Sequence, residues 1–203
     1  MVPEKRTILV ATHNRGKLKE YRELLTDLDV TWVGLSEVGI DWDIDETGVT
    51  FEENAILKAT GYSRVCKLRT LADDSGLEVD VLGGEPGVYS ARFGGAGLNS
   101  EDRYRLLLEK LAHVPWEQRG ARFRCVVALA DGASVHATAS GAIEGRIALN
   151  PSGSGGFGYD PVFYVSSQQT TMAELPAETK NRISHRARAL AALRPRLEAL
   201  LEA

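Results

Sequence analysis

The chain of 203 residues is poor in cysteine, with only Cys66 and Cys125, and has no apolar run near the roughly 18 residues that cross a bilayer. Two thiols so far apart, each inside an apolar pattern, are expected to be free and buried. A disulfide scaffold is therefore excluded and a cytoplasmic location expected. The opening MVPEKRTILVAT lacks the apolar core and small-residue cleavage site of a secretory signal. No repeat or low-complexity linker interrupts the sequence, so a single domain over 1–203 is expected. The net charge of −4 argues against a broad nucleic-acid surface, and neither nucleic acid nor membrane is an expected partner.

What is present is charge of both signs, segregated. Acids gather in DWDIDETGVTFEE (41–53), whereas Lys180, Arg182, Arg186, Arg188, Arg194 and Arg196 follow one another with no acid between them. Such clusters either are solvated faces or bring a metal ion and a polyphosphate together. RTILVAT and VTWVGL read as strands, and Leu18, Tyr21, Leu24, Leu25 and Leu28 recur at helical spacing between them. Thr50 followed by Glu53 is a capping-box signature that opens a helix to about Leu68. TLAD and LEVDVL read as short strands on either side of an acidic turn, ADDSG. NSEDRYRLLLEKLAHV reads as a helix capped by Asn99 or Ser100. Asp131-Gly132 marks a hairpin, and the chain closes in a helix from about Ser184 that Pro195 interrupts. Helices mixed with strands and a hairpin indicate an α/β fold with a mixed sheet flanked by helices.

Five stretches carry chemistry. In ATHNRGK a strand ends, Thr12, His13, Asn14, Arg15 and Gly16 turn, and Lys17 enters the first turn of a helix, where orphan amides and the helix dipole favour anions. The loop is not a Walker A sequence. In DETGVTFEENAILKA, Asp45 and Glu46 offer hard oxygen ligands to magnesium, with Glu53, Asn54 and Lys58 on the next helix. Glu53 otherwise simply caps that helix. Asp73 and Asp74 are adjacent, so on a strand they point to opposite faces and need not share a task. One carboxylate binds metal or activates water, and the other fixes the loop. In GSGGFGYDP, Phe157 offers a stacking ring, with Gly158, Tyr159 and Asp160 beside it, although Phe157 and Tyr159 are equally suited to a core. Lys180, His185 and Arg186 lie on the basic stretch. Arginine, which only donates, favours a carbonyl such as a purine O6 over an amino group.

Together, ATHNRGK, ETGVTFEENAILKA, ADDSGLEVDVLGGEPGVYSAR, ARFRCVVAL, GGFGYDPVF and AELPAETKNRISHRARAL resemble, in order, the inosine triphosphate pyrophosphatase family and its bacterial dITP/XTP branch. The resemblance implies an elongated mixed sheet with two lobes around a nucleotide cleft, and a homodimer. It implies Mg²⁺-dependent hydrolysis of ITP, dITP and XTP to the monophosphate and pyrophosphate, which cleanses the nucleotide pool. By the same resemblance Asp74 is the general base and a metal ligand, with a further ligand from Asp45 or Glu46. Thr12 to Lys17 hold the triphosphate and Ser75 contacts substrate. Phe157 to Asp160, Lys180, His185 and Arg186 meet the nucleotide, chiefly at its base. Two alternatives compete: a Maf-like pyrophosphatase for modified pyrimidine triphosphates, and a non-catalytic nucleotide- or RNA-binding module.

Overall fold

A computed structural model describes residues 6–202. Its elements are β1 (Arg6–Val10), α1 (Arg15–Leu24), β2 (Val30–Gly34), α2 (Phe51–Cys66), β3 (Arg69–Val79), α3 (Ser100–Lys110), β4 (Gly120–Asp131), β5 (Ser134–Ile147), β6 (Phe163–Val165), β7 (Thr170–Thr171), α4 (Ala177–Ile183) and α5 (His185–Glu202). One seven-stranded sheet runs β2-β1-β3-β4-β5-β6-β7. β1 pairs in parallel with β2 and β3, whereas β5–β6 and β6–β7 are antiparallel. The sheet is therefore mixed, as the combination of helical crossovers and a hairpin requires.

The chain divides into two compact units. The first takes in Met1–Asp74, Cys125–Gly141 and Arg186–Ala203, and the second Ser75–Arg124 and Ala142–His185. The first has a core in which Ile8, Val10 and Leu71 of the sheet meet Tyr21 of α1, Leu25 just after it, and Leu190 and Leu193 of α5. Removing each such side chain from water stabilises the fold by about 1.5–3 kcal/mol. The second is centred on Leu77, Val79, Phe123, Ile143, Phe163 and Leu107. Cys66 and Cys125 are both free thiols, the first partly and the second fully buried.

Two expectations need correction. ADDSG is not a turn: β3 runs unbroken from Arg69 to Val79 through both aspartates. The strand tolerates the acids because cationic side chains meet them, as described below. Nor does Pro195 interrupt the last helix, which continues from His185 to Glu202. An internal proline removes a helical hydrogen bond at a cost of about 3 kcal/mol. Leu193, Leu197 and Leu201, all buried on the first core, hold the helix together across it.

Candidate active site

Within the first unit the site is built on β3 and the starts of α1 and α2. Asn14 caps α1, its Oδ1 accepting from the amides of Gly16 (2.9 Å) and Lys17 (3.1 Å). The Thr12 hydroxyl in turn accepts from the Asn14 amide at 3.1 Å. The cap thus uses two of the amides expected to attract an anion, and the Lys17 ammonium carries the positive charge forward. His13 reaches the Trp42 carbonyl at 3.1 Å and so ties the loop to the acidic segment. Arg15 is exposed and lines a groove of about 600 Å³ on α1 with Leu18, Lys19 and Arg22. That groove holds neither Asp73 nor Asp74 and is set apart from the chemistry described next.

Adjacent positions on the strand separate the two aspartates. Asp73 meets Lys17 of α1 (Nζ to Oδ2, 3.0 Å), Arg186 of α5 (Nη2 to Oδ2, 3.1 Å) and the Cys125 thiol (3.7 Å). Burial pushes its carboxyl upward, but Lys17, Arg186 and Lys58 reverse this and hold it well below the ordinary aspartate range. Asp74 meets α2 instead: Asn54 Nδ2 donates to its Oδ2 at 3.2 Å, and the Lys58 ammonium lies 3.3 Å from its Oδ1. Burial raises the Asp74 carboxyl above its ordinary value, Glu46 adds to the rise, and Lys58, Lys17 and Asn54 only partly oppose it. Lys58 is itself held charged, because Asp74, Asp73 and Glu46 outweigh the downward pull of burial. One aspartate is thus locked as an anion, while its neighbour has a raised proton affinity.

The acidic loop reaches this point through Glu46, whose Oε1 lies 3.1 Å from Lys58 Nζ. Asp45 is exposed. Glu46 and Asp74 therefore converge on one ammonium, and among the described residues no cage of three or more His, Cys, Asp or Glu side chains forms. Glu46 and Asp74 offer two hard oxygen ligands of the kind a divalent cation takes together with waters and phosphate oxygens, and Lys58 balances their charge. Asn54 fixes the loop as well as Asp74, since its Oδ1 accepts from the Gly48 amide at 2.8 Å. Glycine is required there: a Cβ on Gly48 would lie 2.7 Å from Asn54 Oδ1. Glu53 completes the capping box on Val49, Thr50 and its own amide, which is the structural role weighed for it.

The second unit holds the remaining candidates. Asp160 is 3% exposed, and its Oδ2 accepts from Lys180 Nζ at 2.6 Å and from the Phe157 amide at 2.8 Å. A side chain at Gly156 (φ +70°) would collide with that carboxylate. Lys180 Nζ also lies 4.8 Å from the centre of the Phe157 ring, which is only partly buried. Tyr159 belongs to the core, its hydroxyl donating to the Ser90 carbonyl at 2.9 Å. Gly158 adopts φ +64°, Ser75 is partly buried at the start of this unit on β3, and His185 stacks on Phe123 at 4.9 Å.

Arg186, expected at a purine edge, is enclosed in the first unit with one terminal nitrogen on Glu20 and the other on Asp73. Glu20, the partner of Arg186, is a buried charge that sequence reading missed. It falls three positions after Lys17 on α1, the spacing that puts two side chains on one helix face.

A mixed-sheet α/β frame whose third strand sets a locked and a proton-ready carboxylate back to back, each beside a lysine, defines the class of protein. The particular kinship follows from comparison: residues 8–196 match the model of the Ham1 family, and the chain belongs to that family. It is 48% identical to the dITP/XTP pyrophosphatase of Geobacter sulfurreducens over 190 residues, covering 94% of this chain and 96% of that one. It is 47% identical to the dITP/XTP pyrophosphatase of Bacillus subtilis, over 94% and 96% of the two chains. A HAM1 protein structure from Coxiella burnetii superposes with a TM-score of 0.85 at 42% identity, covering 97% of this chain and 99% of the other.

Proposed function

We propose that this chain is a hydrolase of non-standard purine nucleoside triphosphates, ITP, dITP and XTP, which it cleaves to the monophosphate and pyrophosphate with Mg²⁺ as cofactor. The observation that carries the reading is the Asp74–Lys58–Glu46 centre, in which a buried carboxylate of raised proton affinity stands beside a second carboxylate and a fixed ammonium. The names of the relatives supply the substrate class.

Glu46 and Asp74 would hold the ion, which would draw charge from the phosphate oxygens. Asp74 accepts the proton of a water whose oxygen bonds to the α phosphorus. The bond from that phosphorus to the bridging oxygen breaks, and pyrophosphate leaves with the electron pair. Lys17 and Lys58 stabilise the charge that gathers on the leaving group. For the base, Phe157 offers its ring, and Lys180, oriented by Asp160, donates to a purine O6. An adenine amino group in that place would set a second donor against the ammonium, which is a ground for rejection. Arg186 and His185 hold neighbouring side chains in place. On the family resemblance we also propose a homodimer, which sedimentation tests.

The deciding experiment is a triphosphate panel with and without magnesium that separates pyrophosphate from orthophosphate. Pyrophosphate from dITP and XTP, dependent on the ion, is expected. Orthophosphate as product overturns the reading, and turnover of dTTP or UTP without dITP turns it to the pyrimidine class. Binding without turnover makes the chain a nucleotide-binding module.

A further inference from the structure

Four charged side chains meet in the interior of the first unit. Lys17 and Glu20 come from α1, Asp73 from β3 and Arg186 from α5. Arg186 and Asp73 side chains are each 1% exposed and that of Glu20 10%. Apolar side chains of similar volume would serve stability as well as a buried ion network, so its worth lies in orientation. One oxygen, Asp73 Oδ2, is shared between Lys17 at 3.0 Å and Arg186 at 3.1 Å, while Glu20 takes the other arm of the guanidinium.

We propose that Glu20 is a positioning residue for the reaction. By holding one arm of Arg186, it keeps the guanidinium from closing with both arms on Asp73, and so holds the carboxylate in the orientation in which Oδ2 also seats Lys17. Bidentate arginine–carboxylate pairing is the preferred geometry when nothing opposes it. Without the Glu20 charge, Arg186 takes that geometry and the Lys17 ammonium loses its seat. This rests on the assignment of Lys17 to the phosphate chain. A bare electrostatic argument gives the opposite sign, because deleting a negative charge beside an anion site tightens anion binding.

The test is a double-mutant cycle of Glu20→Gln with Lys17→Ala. It is read by kcat/KM on the triphosphate that the wild type hydrolyses and by calorimetric binding of inorganic tripolyphosphate. Glu20→Gln is expected to lower kcat/KM about 30-fold, within the range for a small misplacement of a reacting group, and to weaken tripolyphosphate binding. In the Lys17→Ala background it should add almost nothing. An equal factor in both backgrounds marks a structural role and overturns the proposal, as does tighter tripolyphosphate binding or a Lys17→Ala variant of full activity. Should Glu20→Gln not fold, Glu20→Asp enters the same cycle, keeping the charge but shortening its reach, with the same outcomes deciding. A wild type that releases no pyrophosphate from dITP or XTP refutes the proposed function alone, since tripolyphosphate binding still decides the role of Glu20.

Discussion

The same substitution at two neighbouring positions is expected to have opposite consequences. Asp73→Asn removes the negative charge that Lys17 and Arg186 share and leaves both cations in the interior. Breaking a buried ion pair from one side costs about 3–5 kcal/mol, and the retained amide oxygen keeps the loss near about 3 kcal/mol. In a chain of this size each kcal/mol moves Tm by about 2–4 °C, so a fall of about 6–12 °C is expected. Asp74→Asn is different. Its carboxyl is raised by burial, so the ionised form already weighs against the folded state above the ordinary value of 3.8, and the neutral amide relieves that penalty. Lys58 keeps Glu46 as a partner. Tm should therefore hold or rise, while kcat falls by about 10³-fold with loss of a general base. Scanning calorimetry and pyrophosphate release on both variants check this. Equal Tm losses, or kcat of Asp74→Asn within tenfold of wild type, would refute the division of labour.

Gly48→Ala should raise the magnesium concentration needed for half-maximal activity, because its Cβ would press on Asn54 and shift the loop that carries Glu46. Overpacking of this kind costs about 1–3 kcal/mol. Phe157→Ala should raise KM for dITP with little change in Tm, since loss of base stacking is worth about 1–3 kcal/mol. Glu174 accepts hydrogen bonds from Thr170, Thr171 and Ser152, which pull its carboxyl down to about 2. Its contribution is fully present above the ordinary value of 4.5 and is lost as pH falls through about 2. Protection of the Thr171 amide, its exchange rate relative to the intrinsic rate at each pH, should fall over that window in the wild type and be low throughout in Glu174→Ala.

Local patterns carried much of this fold in plain view. The capping box at Thr50 and Glu53, the Asn99 cap and the hairpin at Asp131-Gly132 are short-range signals, and each marks an element boundary within a residue or two. The unbroken β3 was not legible, because paired acids argue for a turn until their partners are known. Those partners, Lys17 and Arg186, lie far away in the chain. The site shows the same contrast. Lys17, Lys58 and Asp74 stood out by residue type, whereas nothing local singled out Glu20 on its helix. The enclosure of Arg186 was hidden too, since a basic stretch reads alike whether its arginines face water or carboxylates.

The unbroken course of β3 past Asp73 and Asp74 means that odd and even positions, rather than side-chain chemistry, assign the two acids their tasks. A single residue inserted or deleted in the strand ahead of them would exchange the faces they occupy. The anchoring acid would then face the side on which the proposed base stands, and catalysis would be lost. Indels in this strand should be tolerated only in pairs.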